Sequence, residues 1–189
     1  PEELIERAAR LGYAALAITD RATIAGMVRA YTEAKKHPGF KLIIGAEIEP
    51  VDAPPLVLWA PDRAAYGNLC RLLTVGRTNA PKGECRLTFG DVANFAGGLF
   101  AGAILPDEAL LRRKEATTEG DPSPARLGVV SSDEEAALSR YRELFGDRLG
   151  LLVELHRGVD DAGKLNRLAT LSRRTGVAPP PGHRAPSHT

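Results

Sequence analysis

Histidine and cysteine are scarce in this chain, four of one and two of the other in 189 residues. The cysteines, Cys70 and Cys85, form no CxxC and have no histidine at zinc-ligand spacing. That excludes a disulfide framework or a structural zinc and fits a reducing compartment. No apolar run is long enough to span a membrane, and Glu2, Glu3 and Glu6 stand where a signal peptide carries basic residues. The expectation is a cytoplasmic protein with no membrane partner. Charge of one sign is also missing: the formal net charge is +1. Nucleic acid would need a local patch, or something outside this chain, to hold it. No glycine-rich phosphate loop, Ser-His-Asp set or Cys-His pair stands at useful spacing. What is present is ordinary for a soluble globular protein, 43% apolar and 26% charged. The length suits one sizeable domain with its own core.

The chain opens with PEELIERAARLG, a helix by its signals. Pro1 suits a first turn, Glu2 and Glu3 favour the positive end of the dipole, and Gly12 suits a left-handed stop. Leu4, Ile5, Ala8 and Leu11 make its expected apolar stripe. An opening at the first turn of a helix reads as a truncation. Residues 14–18 form a short apolar strand ending before Asp20. Thr19 or Thr23 could cap the following helix, with Ile24, Met27, Val28, Tyr31 and Ala34 as its stripe. Pro38-Gly39 ends it, KLIIGAEIEP supplies a second strand, and residues 56–60 a third. Asp62 caps a helix carrying Tyr66, Leu69, Leu72 and Leu73. This alternation predicts a parallel α/β domain.

Further on, a helical turn is expected near residues 88–95 and a strand over 98–105. Residues 106–127, with EATTEGDPSPAR, read as an exposed insertion. Ser132 and Asp133 can cap a helix with Leu138, Tyr141, Leu144 and Phe145 inward. A strand over 149–155 leads to His156, and a last helix carries Leu165, Leu168 and Leu171 up to Gly176. Residues 178–189, APPPGHRAPSHT, are a proline-rich tail, disordered or aberrant, where the pattern asks for another strand.

Two acids, Asp20 and Glu47, fall where apolar strands stop. The carboxyl ends of parallel strands are where ligands and metals bind, so both are candidate metal ligands. A helix cap and a solvated strand-end acid are the plain alternatives. His37 reads as an exposed turn residue, and His156, His183 and His188 as surface or tail residues. The basic runs Arg112-Arg113-Lys114 and Arg173-Arg174 read as solvated faces. Cys70 reads as packed on the apolar side of its helix.

The ordered pieces LGYAALAITD, AGMVRAYTEAKK, KLIIGAEIE and LVLWAPDRAAYGNLCRLLT resemble the PHP (polymerase and histidinol phosphatase) domain. KGECRLTFGDV, GLFAGAIL and LLVELHRGVDDAGKLNRLATLSRRTGV continue the resemblance, which runs to about Val177. The likeness is greatest to the domain as it opens bacterial polymerase III alpha-type chains, above all the error-prone, DNA-repair branch. It implies α/β architecture, here an incomplete, distorted (β/α)7-type PHP barrel over residues 1–177. It also implies a cleft at the strands' carboxyl ends where histidines and acids hold zinc or manganese, a set able to generate hydroxide against a phosphodiester.

By that resemblance Asp20 and Glu47 match two family acids, but Arg21 stands where a histidine usually follows. The opening His-x-His has no counterpart after Pro1, Pro54-Pro55 replaces another histidine, and neither His183 nor His188 has an Asp beside it. Arg21 next to Asp20 favours an ion pair over a metal. Asp20 and Glu47 therefore read as vestigial metal candidates, with no cofactor in this fragment; the magnesium of such polymerases belongs to a palm domain of the parent. The expected role is structural, against the polymerase body of the same parent chain, with DNA met only through that parent. The alternative is a free-standing PHP phosphoesterase of the histidinol-phosphatase kind.

Overall fold

The computed structural model describes residues 1–104, 132–153 and 161–178. The chain divides into two units, Pro1–Ala101 and Gly102–Thr189. Among the described residues no helix is long and apolar enough to cross a membrane.

The first unit opens with α1 (Glu2–Arg10), acidic in its first turn and basic in its last, as the dipole favours. Gly12 follows at φ 79°. Strand β1 (Ala15–Ile18) leads to α2 (Met27–Ala34) and then β2 (Lys41–Ile48). β1 and β2 pair in parallel, Ala15 with Lys41 through Ile18 with Ile44. β3 (Leu56–Ala60) pairs with β2 antiparallel, Ile44 with Ala60 through Ile48 with Leu56. The all-parallel expectation fails here for a simple reason. The β2–β3 connection has no helix, and a parallel crossover needs about a dozen residues or more.

The helices cover the first unit's core more narrowly than their sequence stripes suggest. α1 buries only Ile5 and Ala8, while Leu4 and Leu11 stay exposed. α2 buries Ala30 and Ala34, while Val28 and Tyr31 stay exposed. Its cap is Gly26 rather than a threonine, and Thr23 Oγ1 accepts instead from Ala25 N. Ile5, Ile18, Ala30 and Ala34 form one cluster with Leu16, Phe40 and Leu42 against it. The buried face of these two helices is narrow, Ile5 against Ala30 and Ala34, and leaves Leu4, Leu11, Val28 and Tyr31 outside it. Helix α3 (Arg63–Thr78) begins as expected, Asp62 accepting from Ala65 N at 2.8 Å, and buries Ala65, Leu69, Leu72, Leu73 and Gly76. Tyr66 is half-buried. α4 (Phe89–Phe95) has a full capping box, Thr88 with Asp91.

β4 (Phe100–Ile104) crosses from the first unit's end into the second. The second unit also holds α5 (Ser132–Phe145), β5 (Leu149–Leu152) and α6 (Asp161–Thr175). Its core contains Leu138, Tyr141, Phe145, Leu151, Leu168 and Leu171; Leu144 is half-buried and Leu165 exposed. Beyond α6, Ala178 pairs in parallel with Gly150, and Leu151 N donates to Ala178 O at 3.1 Å. The segment expected as an insertion, 106–127, and residues 179–189 of the tail lie outside the described residues.

Candidate functional site

The parallel β1–β2 ladder does not stop with β1. It continues through Asp20 O, which accepts from Glu47 N at 3.2 Å, and Glu47 O, which accepts from Ala22 N at 2.7 Å. Arg21 and Glu47 form a parallel bridge. Both candidate acids thus lie at the carboxyl ends of adjacent parallel strands, as the sequence predicts.

Their side chains take different partners. Arg21 Nη2 lies 2.9 Å from Glu47 Oε1, and Arg21 Nη1 lies 3.3 Å from Glu49 Oε1. Glu47 in β2 and Glu49 just past its end are two residues apart in extended chain and face the same side, which is why one planar guanidinium can reach both. Asp20 is not in that set: it lies against Gly26, where an added Cβ would fall 2.9 Å from its Oδ2. The expected ion pair of Arg21 with its neighbour Asp20 is therefore replaced by pairs with Glu47 and Glu49. Adjacent residues of an extended segment point to opposite sides, so sequence adjacency was the wrong guide. The guanidinium is two-thirds exposed and the Glu47 side chain 24% exposed, so these pairs contribute at most about 1 kcal/mol in water.

Arg77 stands in the last turn of α3. Its Nη2 donates to Ala22 O at 2.8 Å, and its Nη1 donates to Gly83 O at 2.9 Å and Glu84 O at 3.2 Å. Ala22 sits at φ 52°, left-handed backbone that costs a non-glycine residue about 1 kcal/mol or more. It is held there by Glu47 O on one side and Arg77 on the other. Nothing in the local sequence around Arg77 announces this role, since its acceptors are carbonyls distant in the chain. Between these groups lies a cavity of about 280 Å³ lined by Arg21, Ala22, Glu49, Arg77, Cys85 and Leu87. Burial pushes the Cys85 thiol up, partly offset by the nearby Arg77 charge. A second hollow of about 390 Å³ lies on the other side of Ala22 and Arg77, with Cys70 and Thr74 in its wall.

The remaining candidates do not join this site. His37 is half-buried rather than exposed, its Nε2 3.3 Å from Glu33 Oε1. Arg174 pairs with Glu135 within the second unit. Arg112-Arg113-Lys114, His156, His183 and His188 lie outside the described residues.

A parallel strand pair ending in acids, with helices around it, defines an α/β domain of the strand-end site type. The PHP domain family model matches residues 1–158, and the chain belongs to the PHP domain family. It is 45% identical over 177 residues to the "Error-prone DNA polymerase" of Rhodopirellula baltica, covering 94% of this chain and 14% of that protein. It is 42% identical over 177 residues to the protein of the same name from Pseudomonas aeruginosa, covering 94% of this chain and 15% of that one. Over the same share of the chain, a solved structure provisionally named a metal-dependent phosphoesterase, from Bifidobacterium adolescentis, is 17% identical with a TM-score of 0.49, covering 79% of that chain. The chain thus spans about one-seventh of the length of the curated relatives it matches. The described residues carry five strands and the helices of a mixed α/β fold, where the resemblance implies a barrel of seven strands.

The zinc or manganese of intact sites in this family does not fit the residues described here. No group of three or more His, Cys, Asp or Glu side chains is placed to hold a metal among the described residues. Of the two matching acids, Glu47 is in contact with a guanidinium and Asp20 is turned to Gly26. A cation already on the carboxylate competes directly with a divalent ion.

Proposed function

We propose that this chain is the PHP domain of an error-prone DNA polymerase and acts there as a structural element. The observation that carries the reading is the 45% identity with the Rhodopirellula baltica polymerase, sustained over 94% of this chain. In this reading the domain covers residues 1–177, with 106–127 inserted and 178–189 a tail. The pairing of Ala178 with Gly150 supports extending it past residue 158. Its partner is the polymerase body of the same parent, and DNA is met through that body during repair synthesis across damage, in the cytoplasm. Nucleotide joining, with its palm-bound magnesium, belongs to the parent. Asp20 and Glu47 are remnants of a metal site.

Sequencing the DNA that flanks this reading frame tests the assignment. Polymerase palm motifs downstream are expected; a stop codon with no such motifs on either side would overturn it.

A free-standing phosphoesterase is the second reading, favoured by the two acids at adjacent strand ends. Hydrolysis of bis(p-nitrophenyl) phosphate with added manganese or zinc separates the two. No turnover above the protein-free blank is expected. Turnover abolished by Glu47→Gln would establish the second reading.

A further inference from the structure

We infer that Arg21 is a built-in cation that takes the place of a metal at the strand ends: it neutralises Glu47 and Glu49 and keeps divalent ions off them. Three observations converge on it. The guanidinium reaches both carboxylates, one from each terminal nitrogen, at 2.9 Å and 3.3 Å. Its backbone is locked opposite Glu47 by the extended β1–β2 ladder, so the side chain starts from a fixed place rather than searching for its partner. The turn that follows is held by Arg77 through Ala22 O at 2.8 Å, which favours the loop position that places Arg21 at the acids.

The chemistry of the groups makes the substitution self-consistent. A divalent ion binds hard carboxylate oxygens, and so does a guanidinium, by bidentate hydrogen bonding and charge. Arg21 and Arg77 both line the adjoining cavity, with Glu49 as the carboxylate there, so its wall already carries more positive than negative charge. A metal entering would add two positive charges and would have to displace Arg21 first. A lysine would replace this poorly, because an ammonium is a point charge and cannot span two carboxylates in one plane.

The inference rests on PHP-family membership and not on attachment to a polymerase, so failure of the flanking-sequence test would leave it standing. Its own test is Mn²⁺ titration, reading free ion by electron paramagnetic resonance, for the wild type, Arg21→Gln and the double variant Arg21→Gln/Glu47→Gln. Far-ultraviolet circular dichroism establishes that each is folded. Arg21→Gln is expected to bind Mn²⁺ at least about ten-fold more tightly than the wild type, a difference of 1.4 kcal/mol. The double variant is expected to lose that gain. Equal affinity in wild type and Arg21→Gln, or a gain that survives Glu47→Gln, would overturn the inference. If Arg21→Gln does not fold, Arg21→Lys decides: a measurable rise in Mn²⁺ affinity supports it, and none overturns it.

Discussion

The strand-end cluster and the packed layer beside it are built on opposite terms. Arg21, Glu47, Glu49 and Arg77 are charged, and all but Glu47 have largely exposed side chains or positions. Each contact there is worth little, because water and salt compete for it. A few residues away, Gly45 lies under the carbonyl of Leu58, and Gly76 makes room for Cys85 Sγ and the Leu87 side chain. Those contacts involve no charge, yet a single added methyl group would disturb them. The part of the molecule that suggests a function is therefore the part that contributes least to holding it together. Substitution of a charged residue at the strand ends costs the fold little, while substitution of a buried glycine costs it much.

The largest expected effect lies in the packed layer. A Cβ at Gly45 would fall 2.4 Å from Leu58 O and 3.0 Å from Trp59 Cδ1. Backbone in the antiparallel ladder cannot step aside, so Gly45→Ala should destabilise by about 3 kcal/mol or more, the upper end of overpacking costs. Urea denaturation measures it. Gly76→Ala comes next. Alanine gains about 1 kcal/mol of helix propensity, against an overpacking cost of about 1–3 kcal/mol. Cys85 Sγ at 2.5 Å and Leu87 Cγ at 2.8 Å must move, and Leu87 is fully buried, so a net loss near 1 kcal/mol is expected.

At the strand ends the effects shrink. Arg77→Ala removes donors to three carbonyls and frees the left-handed turn at Ala22. All three bonds are exposed and the carbonyls can turn to water, so about 1 kcal/mol in total should be lost, less than three full hydrogen bonds would give. A loss as large as that of Gly45→Ala would break the contrast between the two regions.

The smallest effect is a pH dependence. The Lys36 ammonium, and after it His37, hold the Glu33 carboxyl below its ordinary value of 4.5. A depressed carboxyl adds stability above the unfolded value and loses it as pH falls through the folded one. The melting temperature of the wild type should therefore exceed that of Glu33→Gln slightly at pH 7. The gap should close on acidification below about 4.5, the unfolded value from which the shift starts.

Much of the fold was legible in the sequence because its signals are local. Asp62 caps its helix as its position predicts, a helix forms near residues 88–95 as expected, and the apolar runs around Ala17, Ile44 and Leu58 became strands. Direction was misread at β3, because an apolar run carries no record of how its neighbour approaches. Helix faces were read too broadly at Leu4, Leu11, Val28 and Tyr31, since the buried face is narrow: Ile5 of α1 against Ala30 and Ala34 of α2. The strand-end positions of Asp20 and Glu47 were legible from the apolar runs before them. The partner of Arg21 and the role of Arg77 were not, because both depend on contacts between segments far apart in the chain.

In the proposed reading the strand ends are held by an arginine and not by a metal. Elemental analysis of the purified chain after exhaustive dialysis tests it most directly. Zinc, manganese and iron far below one ion per chain are predicted; one bound ion per chain, lost on Glu47→Gln, would contradict it.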